Sequence, residues 1–214
     1  YFFLPKLESY EEAGFWRQFF DFCKSYLQLS DTDQIRGIIL IESLPAVFQM
    51  EEMLHGLGIY AAGLNAARWD LKASMLEYVL ADEKSVWPDR FEIDIKKTPF
   101  FSNIFRRLVA VCLKHGAVPI GGMATALPSK NPEVNKLAAF SIIEDKKWEA
   151  EQGFIRAWVA HIYHMKTAAM PFKNISESGW KPDEFQEKPE NFPVSIKVPE
   201  GLLTMEGTRR NIRT

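Results

Sequence analysis

The sequence predicts an α/β fold built on parallel strands, either an open sheet or a barrel. Two observations lead to this prediction. Short aliphatic runs alternate with helix-patterned segments about five times along the 214 residues, the order that is typical of a parallel sheet. The run Gly37–Ile41 is apolar throughout, as expected for a strand that is buried on both faces. Sixteen Phe and six Trp supply bulky side chains for the core.

Each predicted element has a local signal. Ser9-x-x-Glu12 spells a capping box, and apolar residues then recur at helical spacing, so a helix begins there. Gly58 follows the next periodic segment and predicts its end. In order, the predicted strands are 1–4, 37–41, 59–64, 117–120 and 156–162, and the predicted helices are 9–29, 47–57, 104–115 and 132–151.

The last forty residues differ from the rest. Residues 174–200 are rich in Pro, Glu, Lys and Ser and have no periodicity, which predicts a long surface connection. We therefore divide the chain into a β/α segment over 1–173, this connection, and the start of a C-terminal helical region over 201–214. Tyr1 stands inside a predicted strand and Thr214 inside a helix-like stretch, so we expect the segment to belong to a longer protein.

Composition argues against several classes of function. The formal net charge of −2 and the lack of a basic stripe argue against nucleic-acid binding. No apolar run approaches the roughly 20 residues that span a bilayer, so we expect no membrane association. Cys23 and Cys112 lie on apolar faces of predicted helices, which favours reduced thiols and an intracellular protein.

Glu42 and Asp70 are the main candidates for chemistry. Each closes an apolar run, and they lie 28 residues apart, about the length of one β-α-β unit. Parallel strands place equivalent ends on the same rim of a sheet, where α/β proteins carry their sites. Two carboxylates there suggest Mg²⁺, which prefers oxygen ligands. Alternatively, each acid caps a helix or pairs with a nearby Arg.

The segment just before Asp70 is a candidate anion site. Ala66 and Ala67 precede Arg68 and Trp69, and small residues let backbone N–H groups approach a ligand such as a carboxylate. A tight turn with packed alanines explains the same residues equally well.

With these residues in hand, the chain resembles malate synthase of the isoform A class. The similarity extends over nearly the whole chain, in order. It rests on Leu4-Pro5-Lys6-Leu7-Glu8-Ser9, on 41–52, on Gly63-Leu64-Asn65-Ala66-Ala67-Arg68-Trp69-Asp70, on Gly121-Gly122-Met123-Ala124, on Pro128-Ser129-Lys130, on Trp158-Val159-Ala160-His161, on Glu206-Gly207 and on Asn211-Ile212-Arg213.

The resemblance implies a fold, a reaction and a set of site residues. The fold is an eight-stranded β/α barrel of the TIM type, incomplete in this chain. The reaction is the Mg²⁺-dependent condensation of acetyl-CoA with glyoxylate and water to malate and CoA, a step of the glyoxylate cycle. Glu42 and Asp70 would be the metal ligands, residues 67–70 would hold the glyoxylate carboxylate, and Trp158 would lie on the acetyl-CoA side.

The resemblance also places two catalytic groups outside this chain. The family's Arg lies upstream of Tyr1, and its Asp base lies beyond Thr214, so we assign no catalytic residue and expect the isolated segment to be inactive. Bacterial members are cytoplasmic, which we expect here, with a peroxisome or glyoxysome as the alternative. The sequence predicts no oligomeric state.

Two departures from the family pattern keep other functions open. The usual Cys-Gly before Arg-Trp-Asp is Ala66-Ala67. The usual Asp-Gly-Thr-Trp-Val-Ala-His-Pro keeps Trp-Val-Ala-His, but it begins with Ile155-Arg156-Ala157 and ends with Ile162. A second hypothesis is therefore another Mg²⁺-dependent enzyme that forms or cleaves C–C bonds, of the citrate-lyase type. A third is a catalytically degenerate barrel with a binding role.

Overall fold

Five parallel strands curl into a half-barrel in a computed structural model that describes residues 1–30, 32–82, 84, 86–89 and 98–213, without the side chains of Leu80 and Asn211. The strands hydrogen bond in chain order, so each is followed by its spatial neighbour. They are β1 (Phe2–Leu4), β2 (Gly37–Ile41), β3 (Ala61–Ala66), β4 (Val118–Ala124) and β5 (Arg156–Val159).

Helices connect the strands. They are α1 (Tyr10–Tyr26), α2 (Leu44–Phe48), α3 (Met50–Leu57), α4 (Arg68–Leu80), α5 (Pro99–His115), α6 (Pro132–Gln152), α7 (Met165–Glu177) and α8 (Met205–Arg213). Short 3₁₀ helices occupy Gly58–Tyr60, Ile162–His164 and Pro189–Asn191. In the part of the chain that is described, no helix is both long and apolar enough to cross a membrane.

The sheet curls so far that two side chains on its opposite edge strands are in contact. Phe3 on β1 and Trp158 on β5 pack edge to face, with their ring centroids 4.6 Å apart. These strands are the first and last of the sheet, so a flat sheet would keep the two rings far apart. The predicted incomplete barrel is therefore confirmed.

The core lies between the outer face of the strands and the helices. Side chains alternate between the two faces of a strand, so Ile39 and Ile41 pack with the core while Leu40 faces the inside of the curl. On the helix side, α1 packs on α3, and α5 packs on β3 and β4. Phe101 and Leu108 of α5 are completely buried.

Most predicted elements are present with small shifts. Ser9 forms the predicted capping box with Glu12, and Gly116 ends α5 with a left-handed φ of 64°. The predicted strand over 59–64 begins two residues later, because Gly58–Tyr60 forms a 3₁₀ turn. The predicted helix over 47–57 is two helices, since α2 ends at Phe48 and α3 begins at Met50.

Two helices were missed by the sequence analysis. Helix α4 begins directly after the apolar run of β3, and helix α7 contains Pro171, so the periodicity of neither was recognised. The strand β4 also continues through Gly121, Gly122 and Met123, beyond the predicted end at residue 120. Between α4 and α5, where neither a helix nor a strand was predicted, residues 90–97 lie outside the described residues.

The segment after α7 is packed against α5. Asn103 donates to the carbonyl oxygen of Pro193 at 2.9 Å, and Arg107 donates to that of Pro189 at 3.2 Å. Phe192 is buried. Apart from the 3₁₀ turn at Pro189–Asn191, the segment from 178 to 204 contains no helix or strand. The division into three parts stays a prediction.

Candidate active site

Glu42 and Asp70 lie on the same rim of the sheet. Glu42 directly follows β2, and Asp70 stands in the first turn of α4, just after β3. The two strands are parallel neighbours, with Ile41 opposite Ala66. The Ala67 N–H donates to the Ile41 carbonyl oxygen at 3.2 Å and extends this register beyond the strands. The carboxyl ends of β2 and β3 thus bring the two acids together.

The two carboxyl groups share one cation, the ammonium group of Lys6. The Lys6 Nζ atom lies 2.7 Å from Asp70 Oδ2 and 3.8 Å from Glu42 Oε1. The Lys6 backbone N–H also donates to Glu42 Oε1 at 2.6 Å. Lys6 itself has a positive φ of 59°, a conformation that costs free energy in a residue other than glycine.

The two acids have different environments. Glu42 is only 4% exposed, whereas the Asp70 side chain is 53% exposed. Burial raises the pKa of Glu42 above its ordinary value, although the Lys6 backbone N–H opposes this shift. The hydrogen bond from Lys6 lowers the pKa of Asp70. Asp70 thus favours its charged form, whereas a charge on Glu42 is poorly solvated. A cation placed between the two carboxyl groups stabilises both charges.

The N-terminus of α4 opens beside these acids. Its N-cap residue is Ala67, which makes no side-chain capping hydrogen bond. The backbone N–H groups of Trp69 and Asp70 belong to the first turn, so they have no acceptor inside the helix. Such amides, together with the helix dipole, favour an anion.

One open pocket of about 900 Å³ contains all the residues predicted for the site. Glu42 and Asp70 lie in its wall, and Trp158 of β5 lines it from the far edge of the sheet. The predicted members of the lining are Glu42, Ala67, Arg68, Trp69, Asp70 and Trp158.

Arg68 is held by other protein groups at the side of this pocket. Its guanidinium forms a two-pronged ion pair with Asp145, with distances of 2.9 and 2.6 Å. It also lies 3.0 Å from Glu149. These two acids were not predicted as part of the site. Their only sequence signal is a spacing of four residues, which places them on one face of α6.

Asn65 is a further pocket residue that was missed. Its side chain is buried and donates to the carbonyl oxygens of Ile120 and Gly121, at 3.3 and 2.8 Å. A polar residue inside the apolar run of β3 was the available signal. Asn65 links β3 to β4 beneath the pocket.

Comparison with known proteins identifies the family. The family model described as malate synthase, TIM barrel domain, matches residues 1–204. The chain belongs to the malate synthase family. Malate synthase A of Escherichia coli K12 is 37% identical over 216 residues, which cover all of this chain and 40% of that protein. The chain thus spans less than half the length of this malate synthase.

Solved structures with a similar fold include citrate lyases. A citrate lyase from Burkholderia xenovorans LB400 has a TM-score of 0.61 at 15% identity and covers 88% of this chain and 57% of that chain. A citrate lyase beta subunit from M. tuberculosis, complexed with oxaloacetate and magnesium, has a TM-score of 0.51 at 13% identity, with coverage of 80% and 60%. At these identities the likeness concerns the fold.

The donor set fits a hard divalent cation. Lys6 shows that the two carboxylates can share one positive charge, and both are oxygen donors of the kind that Mg²⁺ prefers. Over the described ranges, no group of three or more His, Cys, Asp or Glu side chains is arranged to hold a metal ion. The two carboxylates of Glu42 and Asp70 suit Mg²⁺, which usually keeps several waters and takes one or two carboxylates.

Proposed function

We propose that the protein carrying this chain condenses acetyl-CoA with glyoxylate and water to give malate and CoA, in a Mg²⁺-dependent reaction. The observation that carries the proposal is the Glu42–Asp70 pair around one cation, beside the uncapped N-terminus of α4. The malate synthase relatives support the choice of substrates. The cytoplasmic location and the inactivity of the isolated chain stay predictions.

The metal ligands in this proposal are Glu42 and Asp70. Mg²⁺ bound between them would supply Lewis-acid polarisation of the glyoxylate aldehyde oxygen. Glu42 is fixed by the Lys6 backbone N–H and by burial, so it forms the rigid side of the site. Asp70 is more exposed and completes the site from the first turn of α4.

The first turn of α4 would bind the glyoxylate carboxylate. The amides of Trp69 and Asp70 lie in the first turn of α4, where a bound carboxylate would be beside Asp70. Trp158 gives the pocket an apolar wall that would exclude water from the acetyl side. The Asp base that the resemblance places beyond Thr214 would remove the acetyl proton.

Substitution of the two acids tests the proposal. In the intact protein, Glu42→Gln and Asp70→Asn are each expected to lower kcat/KM for malate formation by about a hundredfold or more, because Lewis-acid polarisation is worth several kcal/mol. The measurement is CoA release from acetyl-CoA with glyoxylate and Mg²⁺. Glu52→Gln is the matched control, since Glu52 is exposed on α3 and does not line the pocket.

Three results separate the outcomes. Activity that is lost in both site variants and kept in Glu52→Gln supports the metal assignment. Full activity in Glu42→Gln or Asp70→Asn refutes it. A wild-type intact protein that releases no CoA with glyoxylate refutes the reaction itself.

A further inference from the structure

Four charged side chains form a closed network at the side of the pocket. Arg68 pairs with Asp145 and Glu149, and Lys146 bridges the same two acids, at 3.0 Å from Asp145 and 2.9 Å from Glu149. Two cations therefore face two anions. The network joins the first residue of α4 to the C-terminal half of α6.

The Lys146–Glu149 half of the network is buried and attached to β4. Lys146 is fully buried, and Glu149 is 2% exposed. Lys146 donates to the Gly122 carbonyl oxygen at 2.7 Å, and the Gly122 N–H donates to Glu149 at 2.9 Å. Gly121 and Gly122 leave the space for it, because a Cβ atom on Gly121 would overlap Glu149 and one on Gly122 would overlap Arg68.

Burial raises the pKa of Glu149, whereas Asp145 strongly favours its charged form. Burial alone would raise the pKa of this carboxyl, but Arg68 and then Lys146 lower it well below its usual range. Burying a charged pair such as Lys146 and Glu149 is a poor source of stability, since apolar residues of similar volume often stabilise a fold as well or better. A network of fixed geometry next to a pocket therefore points to a role in positioning.

What the network positions is the N-terminus of α4. Arg68 is the first residue of that helix, and Asp70 lies two residues later in the same turn. The two-pronged contact with Asp145 fixes both the distance and the plane of the guanidinium. The first turn of α4 is thereby tied to α6 and to β4.

We propose that Asp145, Lys146 and Glu149 are positioning residues that hold Arg68, and through it Asp70 and the amides of the first turn of α4, in the geometry that binds the divalent cation and the glyoxylate carboxylate. This inference rests on the proposed function, because it concerns the same site. None of the three residues is assigned a contact with substrate. Their effect is on the placement of Asp70.

The experiment measures Mn²⁺ binding to the intact protein, by electron paramagnetic resonance in the absence of substrate. Asp145→Asn is expected to raise the Mn²⁺ dissociation constant about tenfold, as loss of a supporting contact around a metal ligand typically does. Lys146→Met is expected to do the same. Lys147→Met is the matched control, because Lys147 is the next residue on α6 and is exposed, and it should bind Mn²⁺ as the wild type does.

A second variant covers the case in which Asp145→Asn or Lys146→Met does not fold, as judged by thermal unfolding. Arg68→Lys keeps the charge but loses the two-pronged geometry, so weaker Mn²⁺ binding with a normal melting temperature supports the inference. Wild-type Mn²⁺ affinity in a folded Asp145→Asn or Arg68→Lys protein overturns it. Failure of the proposed function is distinguishable, because wild-type protein would then bind no Mn²⁺, or Glu42→Gln would bind it unchanged.

Discussion

At the scale of single residues, the central contrast is between Glu42 and Asp70. They face one another, yet one is buried and the other is half-exposed. The buried acid is costly to ionise without a partner, and Lys6 supplies that partner only from the solvent side, since its own side chain is 66% exposed. Because the Lys6 side chain is exposed, a divalent cation can displace its ammonium group from the two carboxylates.

Removing the Lys6 charge is expected to tighten divalent-cation binding. Lys6→Met keeps the length of the side chain and the backbone N–H to Glu42, but it removes the competing ammonium group. An exposed ion pair is worth about 0.2–1 kcal/mol, so the Mn²⁺ dissociation constant of the intact protein should fall, by up to about fivefold. Isothermal titration calorimetry measures this change.

A matched control for this variant is Lys136→Met. Lys136 forms an exposed ion pair of 2.8 Å with Glu133 on α6, so this substitution removes a comparable contact outside the pocket lining. Equal or weaker Mn²⁺ binding in Lys6→Met would show that the ammonium group does not compete for the cation position.

At the scale of elements, the site depends on how closely the strands approach one another. Gly63 of β3 lies opposite Val118 of β4, and a Cβ atom at position 63 would overlap the Val118 carbonyl oxygen. The overlap would be with a backbone atom, which cannot rotate away as a flexible side chain can. The small residue thus permits the β3–β4 pairing that places Asn65 and Gly121 in contact.

Two glycine substitutions are therefore expected to have opposite effects on stability. Gly63→Ala should destabilise the intact protein by about 1–3 kcal/mol, the usual cost of overpacking. Gly14→Ala should stabilise it by about 0.5–1 kcal/mol, because Gly14 lies inside α1 with no atom near the added methyl group. Differential scanning calorimetry of the two variants provides the test. A Gly63→Ala protein that melts at or above the wild-type temperature would contradict this account of the strand pairing.

Across the whole molecule, structural features that depend on neighbouring residues were predicted well from the sequence. The strand Gly37–Ile41 matched its prediction, as did the capping box at Ser9, because a continuous apolar run and a capping motif are local signals. The placement of Glu42 and Asp70 on one rim followed from strand spacing and the rule for parallel strands.

Contacts between distant segments were harder to predict. Asp145 and Glu149 lie more than 70 residues from Arg68 in the sequence, and on α6 they look like ordinary polar positions of a surface helix. Lys6 likewise gave no signal as the partner of two acids, because only the pairing of β1 with β2 brings it to Glu42. The sequence therefore predicted which residues share the wall of the pocket, but not the contacts that support them.

In the proposed site, Glu42 and Asp70 hold one divalent cation between them. Anomalous diffraction from crystals of the intact protein grown with Mn²⁺ in place of Mg²⁺ tests it most directly. We predict one anomalous peak on the rim formed by β2 and β3, about 2.1 Å from a carboxylate oxygen of each residue, with the Lys6 ammonium group moved away. A peak bound by only one of the two acids, or a cation located elsewhere in the pocket, would contradict the claim.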